Sequence, residues 1–331
     1  MPQKSRPDNL FDALKERFPL PWYWLTAVVA VVLLLLVVLV AYLEGVFTHG
    51  AGWRFWQIGL LPPVIIIYIL VVYPVLSPLF TRAVEAFRPL LPEGEDFDEL
   101  AAGIHQRQRR WECAAMAAGA AVWVGVSMPW AWVKQPLEVY GTVMDVVMFG
   151  LLGWLIYVSL AGNVGLARLS RRQLNLDIFD TGVLSPVAQW SLGTSLAFLG
   201  GITVSAAFQP LESLLMWQSI MIYAILVLAA VLVFFLSMWS THSAMAGVKR
   251  SELEVARKHL AAASRELKDR VALDRMEGIE GLSAALSAWA TFERRVQEVP
   301  AWPFNLGTIR RLTVSLPIPG IVYAVKFILG G

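Results

Sequence analysis

The feature that most constrains this chain is a set of six long runs that contain no Asp, Glu, Lys or Arg. In chain order the runs cover 18–43, 55–81, 113–133, 146–167, 181–211 and 213–248. A helix needs about 20 apolar residues to cross the hydrocarbon core of a bilayer, and each run reaches that length. The sequence therefore predicts an all-α polytopic transmembrane helix bundle of about six spans, over 18–43, 55–81, 113–133, 141–167, 186–208 and 213–241.

The amino-acid composition agrees with a membrane protein rather than a soluble domain. Hydrophobic residues make up 57% of the chain and charged residues 16%, whereas soluble domains are about 25% charged. The single cysteine, Cys113, excludes an internal disulfide and a cysteine-based zinc site.

Basic residues are distributed unequally between the two sets of predicted loops. The loops after the first, third and fifth spans carry only Arg54 and Lys134. The other loops and the N-terminal segment 1–17 carry many more, and basic residues near spans remain on the cytoplasmic side. The sequence therefore predicts a multi-pass protein of the cell (plasma) membrane with both termini in the cytoplasm.

Small residues recur at four-residue spacing in two of the predicted spans. They are Gly193, Ala197, Gly201 and Ser205 in the fifth span, and Ala117, Ala121 and Gly125 in the third. Small side chains let helices approach closely where lipid supplies no hydrophobic drive for association. The spacing predicts helix-packing seams, either inside one bundle or as a subunit interface or pore lining between copies.

The last predicted span continues into a charged segment, 249–299, in which 19 of 51 residues are Asp, Glu, Lys or Arg. Apolar residues spaced alternately by three and four predict a coiled-coil-type seam, interrupted near 274–281. The seam residues are Leu253, Leu260, Leu267, Leu282, Trp289 and Phe292. Two similar helices around a glycine-containing turn predict a cytoplasmic antiparallel hairpin, and the alternative is pairing with other subunits.

The C-terminal segment 300–331 is predicted to associate with the membrane. Its run 312–325 lacks the four charged types but has only 14 residues and contains Pro317 and Pro319. This length favours a re-entrant or interfacial segment over a seventh span.

Asp145 is the one acid within reach of a predicted span. Carboxylates inside a membrane are costly and are often functional. Two interpretations remain open: Asp145 lies at the N-terminus of the fourth span, where the helix dipole favours it, or it lines an outer pore or cavity mouth.

The sequence contains no recognisable catalytic, cofactor-binding or metal-binding constellation. Walker, nucleophile-elbow, zinc-protease and dinucleotide-binding motifs are all absent, and the four histidines are dispersed. The acidic cluster after the second span lacks EF-hand spacing and suits the start of a helix from Asp96 to Arg110. The appendage's basic residues are matched by acids, so nucleic-acid binding is not expected. An enzyme is therefore not predicted, and no cofactor.

The chain resembles some uncharacterised prokaryotic multi-spanning membrane proteins. The resemblance rests on the six predicted spans, on His242 shortly before Lys249 and Arg250, and on the segment Trp302, Pro303 and Phe304 before the last apolar run. The resemblance covers chiefly 168–331 and implies no activity and no functional residue. Two functions remain: a self-associating channel or permeation assembly, which predicts a homo-oligomer, and a membrane-anchored signalling or scaffold protein that docks a cytosolic partner at 249–299.

Overall fold

A computed structural model shows a helical chain. The residues that the structure describes are 21–45, 59–92, 96–105, 109–131, 133–172, 179, 181–209, 217–273, 278–299, 310, 313–315 and 317–329. Among them there is no β-strand, and the α-helices are α1 (Trp22–Leu43), α2 (Leu61–Glu85), α3 (Phe97–His105), α4 (Arg109–Ser127), α5 (Pro136–Ser170), α6 (Ser185–Phe208), α7 (Trp217–Ala272), α8 (Ile279–Glu298) and α9 (Ile318–Leu329). The predicted all-α fold is confirmed. Segment 1–17 and the Trp302 to Phe304 segment lie outside the described residues.

Among the described residues, four stretches of helix are long and apolar enough to cross a membrane. They are Trp22–Leu43, Leu61–Leu90, Pro136–Ser170 and Gly182–Phe208, at the positions of the first, second, fourth and fifth predicted spans. By length and composition this is the architecture of an integral membrane protein. The membrane-protein prediction is confirmed at this level, and the count of about six spans stays a prediction.

Helices α2, α5 and α6 form the centre of the bundle because their facing sides carry large aromatic side chains. Trp154 of α5 packs against Tyr73 of α2 with 5.0 Å between ring centroids, and Trp190 of α6 packs against Phe80 of α2 at 5.1 Å. Helix α4 packs along α5, α7 packs on α6, and α1 lies at the edge against α2 and α5. Most apolar side chains of α1 are exposed, as expected of a helix that faces lipid.

A proline in α2 explains how α1 attaches to the bundle. Pro74 has no N–H, so the carbonyl of Leu70, four residues earlier, has no donor within its own helix. The indole N–H of Trp22 donates to that carbonyl at 2.8 Å. Because lipid offers no hydrogen bonds, this side-chain donor stabilises a backbone group that would otherwise be costly to bury.

Two glycines set the close crossing of α4 and α5. A Cβ atom added to Gly153 would lie 2.5 Å from the carbonyl oxygen of Ala115 and 3.1 Å from the Cα of Gly119. A Cβ added to Gly119 would in turn overlap the carbonyl oxygen of Phe149. The two backbones are therefore in direct contact, which only residues without a side chain permit.

The sixth predicted span and the first half of the charged appendage form one helix. Helix α7 has 56 residues and, at 1.5 Å per residue, a length of about 84 Å. Two serines of α6 hold its apolar part, because Ser191 Oγ donates to the carbonyl of Phe234 at 3.1 Å and Ser195 Oγ to that of Ala230 at 3.0 Å. Gly278, whose φ of 78° suits glycine, immediately precedes α8.

Two shorter helices complete the described fold. Of the predicted helix from Asp96 to Arg110, the structure describes α3 as far as His105 and the start of α4 at Arg109, and 106–108 lie outside the described residues. Asp96 caps α3, because its carboxylate accepts the backbone N–H of Asp98 at 2.9 Å. Helix α9 packs against α6 and has 12 residues, about 18 Å, which suits a re-entrant or interfacial segment better than a seventh span.

Candidate functional site

The pairing of α8 with the charged half of α7 is the most distinctive surface feature of the described chain. The six predicted seam residues, Leu253, Leu260, Leu267, Leu282, Trp289 and Phe292, are all half-buried. Ala256 of α7 and Val296 of α8 are 0% exposed and lie at the centre of the pairing. The two helices contact each other within one chain.

Aromatic rings continue this pairing toward the bundle. The imidazole of His259 stacks on the indole of Trp289, with 4.5 Å between centroids and 8° between planes. Trp289 meets Phe292 edge to face at 5.7 Å, and Phe292 meets Phe179 in the loop after α5 at 6.0 Å. Such ring pairs add to the stabilisation from burial, and they connect α8 to the loop at the end of α5.

Charged side chains fix the register of α8 on α7. The ammonium of Lys249 donates to the carbonyls of Gln297 and Val299, both at 2.7 Å. These carbonyls belong to the C-terminal end of α8, where a helix has unsatisfied acceptors and a negative dipole. Farther from the bundle, Arg257 Nε pairs with Glu293 Oε1 at 2.9 Å. Sequence analysis identified Lys249 as the first charge after the apolar run but not its partners, which lie 48 and 50 residues away.

The outer face of α8 is unusual for a helix in a charged segment. Residues 281–292 contain no Asp, Glu, Lys or Arg. Leu282, Trp289 and Phe292 turn toward α7, whereas Ala284, Ser287, Ala288 and Thr291 are exposed. These side chains are small, so another helix is able to approach this face closely at little desolvation cost.

A second candidate region lies inside the bundle, where Glu112 of α4 is 0% exposed. The indole N–H of Trp154 donates to its Oε2 at 3.4 Å, and Trp154 in turn contacts Tyr73. A carboxylate buried among apolar helices is expensive and is commonly functional. Sequence analysis did not identify Glu112, which directly precedes the charge-free run 113–133.

A small cavity opens next to this carboxylate network. The cavity lies between α2, α5 and α6 and has a volume of about 30 Å³. Its lining residues include Tyr73, Ser77, Ser159 and Trp190. The indole N–H of Trp190 donates to Asn163 Oδ1 at 2.9 Å. The volume suits one or two water molecules and is far below that of a typical ligand pocket. Among the described residues there is no cluster of three or more His, Cys, Asp or Glu suited to a metal ion.

The two predicted packing seams lie in different surroundings. In α6, Gly193 faces leucine side chains of α2, Gly201 faces the ring of Tyr68, and Tyr68 also donates to the carbonyl of Ala197 at 2.7 Å. Ser205 of the same seam bonds Tyr223 of α7 at 3.1 Å. This seam therefore contacts other helices of the same chain.

In α4 the seam residues Ala117, Ala121 and Gly125 are exposed, and no other part of the described chain lies within 4 Å of a Cβ placed on Gly125. The contact of α4 with α5 runs instead through Gly119, on another face of the helix. Within one chain, this seam has no partner among the described residues.

Asp145 lies inside α5 rather than at its start. The helix begins at Pro136, and its N-terminal carboxylate is Glu138, which accepts the backbone N–H groups of Lys134 at 2.8 Å and Gln135 at 3.1 Å. Asp145 is half-buried in the third turn. The carboxylate at the N-terminus of this helix is therefore that of Glu138, not that of Asp145.

Comparisons with family models, with curated proteins and with solved structures find no significant match to this chain.

Proposed function

We propose that this chain is a multi-pass protein of the plasma membrane, with about six spans and cytoplasmic termini, that acts as a scaffold for a cytosolic protein. In this proposal, α7 and α8 form an antiparallel cytoplasmic hairpin, and the partner docks on the outer face of α8. The observation that carries the proposal is the uncharged, small-residue face of Ala284, Ser287, Ala288 and Thr291.

Charge distribution supports this choice of surface. A solvated helix in a segment this rich in charge normally carries charged residues on its outer side. The outer face of α8 between 281 and 292 has none, whereas the neighbouring part of α7 exposes Arg257, Lys258 and Arg265. Small, uncharged faces suit helix-on-helix contact, because backbones approach closely and little polar surface loses water.

Rigid attachment to the membrane supports the scaffold over a free tether. Helix α7 is continuous from the bundle into the hairpin, and Lys249 holds the end of α8 where α7 leaves its apolar part. A partner bound to α8 would therefore be held at a fixed distance and orientation to the bundle.

Site-specific photo-crosslinking in intact cells tests the scaffold. A photoreactive residue at Ala288, on the outer face of α8, is expected to crosslink this chain to a different protein and to give a product of one size. The matched control at Ala261, exposed on α7, is expected to form none. Ala284→Lys places a charge on the same face and is expected to abolish the product at Ala288. Crosslinks at Ala288 to lipid alone, or to another copy of the chain alone, would contradict the proposal.

Labelling from outside the cell tests the orientation that the proposal needs. With Cys113 removed, a cysteine at Gly52 is expected to react with an impermeant maleimide, and one at Gly281 to react only after permeabilisation. Reaction at Gly281 in intact cells would place the hairpin outside and end the scaffold proposal.

A self-associating channel is the second candidate, favoured by the exposed α4 seam. Small residues that face lipid allow two copies to approach closely. Ala121→Leu is expected to dissociate such an oligomer in detergent, whereas Val122→Leu, on a neighbouring exposed position, is not. A discrete oligomer that Ala121→Leu dissociates, together with ion flux in liposomes, would favour the channel over the scaffold. A monomer without flux would exclude it.

A further inference from the structure

The exposed surface of α5 carries a diagonal apolar stripe that ends in three arginines. Ile156, Leu160 and Val164 are spaced by four and are 39%, 45% and 50% exposed. Arg168 continues the stripe at the same spacing, and Arg171 and Arg172 follow one turn later, all three exposed. Residues four apart are neighbours that are offset by about 40° around the helix, so the six side chains form one continuous surface that winds by about 120° from Ile156 to Arg168.

The opposite side of this helix end is fixed in the bundle. Leu166 and Leu169 are buried, and the Ser170 hydroxyl bonds the carbonyl of Leu166 at 2.9 Å. Gly165 faces the side chain of Ile104 in α3 so closely that a Cβ would lie 2.7 Å away. The exposed stripe therefore has a fixed orientation, and its arginines cannot turn into the bundle without unpacking this contact.

Some arginines of the described chain are paired with carboxylates, whereas the three at the end of the stripe are not. Arg88, Arg257 and Arg270 each pair with a carboxylate at 2.7–3.0 Å. No ion pair or side-chain hydrogen bond joins Arg168, Arg171 or Arg172 to any part of the chain that the structure describes. Within the described chain, no carboxylate neutralises their positive charge.

We propose that this surface is a binding site for an anionic phospholipid, with the acyl chain along the stripe and the phosphate at the arginines. From Ile156 to Arg168 the helix rises about 18 Å, close to the roughly 15 Å depth of one leaflet's hydrocarbon. The helix C-terminus contributes only about half a negative charge, which three guanidinium groups outweigh. Arginine binds phosphate oxygens with paired N–H donors, which gives the headgroup a defined position.

Lipid titration of the purified full chain tests this site. Binding of phosphatidylglycerol and of phosphatidylcholine with the same acyl chains is measured by native mass spectrometry and by the shift in unfolding temperature. Replacing all three arginines (Arg168→Gln, Arg171→Gln, Arg172→Gln) is expected to weaken phosphatidylglycerol binding roughly 10- to 100-fold. Binding of phosphatidylcholine is expected to stay unchanged.

A charge-matched control separates this site from the net charge of the protein. Replacing Arg265, Arg294 and Arg295 by Gln removes the same three charges from exposed positions of α7 and α8. The control is expected to bind phosphatidylglycerol like the unmodified chain. Equal losses in the two triple variants, or no loss in either, would overturn the proposal.

Two further arms keep the test decisive. If the triple variant does not fold, Arg171→Gln alone is expected to weaken phosphatidylglycerol binding roughly fivefold, and an unchanged affinity would overturn the proposal. Soluble glycerol phosphate carries the same phosphate without acyl chains. Stabilisation by glycerol phosphate at the concentrations at which the lipid acts would indicate a free-anion site instead of a lipid site.

Discussion

The crossing of α4 and α5 allows a stability prediction for Gly153→Ala. The new methyl group would lie 2.5 Å from the carbonyl oxygen of Ala115, and this distance has to grow to 3.4 Å before the contact is ordinary. Both near neighbours, Ala115 O and Gly119 Cα, are backbone atoms, so no side chain is able to turn away. The two helices must separate along their whole contact.

The expected cost follows from two opposing effects. Overpacking of a close contact costs about 1–3 kcal/mol. Alanine in a helix interior gains about 1 kcal/mol over glycine. Gly247→Ala supplies a matched control, because Gly247 lies within α7 with nothing within 4 Å of its added Cβ. The difference in unfolding free energy between the two variants isolates the steric term, and we expect about 1–3 kcal/mol.

Reversible unfolding in mixed detergent micelles measures this difference. The transition is followed by far-UV circular dichroism while the fraction of denaturing detergent is raised. Gly153→Ala is expected to unfold at a lower fraction of denaturing detergent than the unmodified chain, or at the same fraction. Gly247→Ala is expected to unfold at a higher fraction. A steric difference below about 0.5 kcal/mol would show that the backbones of α4 and α5 are not in contact, and the reasoning would fail.

Three further perturbations test the pairing of helices. Lys249→Met removes the donors to the last carbonyls of α8, so amide hydrogen exchange is expected to accelerate in 296–299 and not in the bundle. Ser191→Ala combined with Ser195→Ala is expected to lower the unfolding free energy by about 1 kcal/mol in the same micelle assay, and an unchanged midpoint would contradict the two bonds to α7. Trp289→Ala is expected to increase protease cleavage in 273–278 while the apolar helices stay folded, and unaltered cleavage would show that the ring does not hold α8.

Local sequence patterns predicted the helical elements well, because such patterns depend on neighbouring residues. Four of the six charge-free runs correspond to membrane-length helices of the described chain, and the three–four spacing of 249–299 marks residues that are half-buried between α7 and α8. Both signals arise from the period of one helix and its solvent.

The identity of the contacting face was less predictable. Helix α4 has alanine at 114, 115, 117, 118, 120 and 121, so a small-residue pattern fits several of its faces equally well. The spacing indicated Ala117, Ala121 and Gly125, yet the contact with α5 uses Gly119. A seam between copies of the chain at the first three stays a prediction.

By itself, the sequence determined where apolar helices form, where charge begins after residue 248, and which residues lie on one face of each helix. Only the tertiary structure decided which distant groups meet. Glu112 is buried because Trp154 covers it, Lys249 caps a helix that ends 49 residues later, and Trp22 bonds the carbonyl that Pro74 leaves open. These contacts join residues far apart in the chain, and their formation depends on the crossing of whole helices, which no local period specifies.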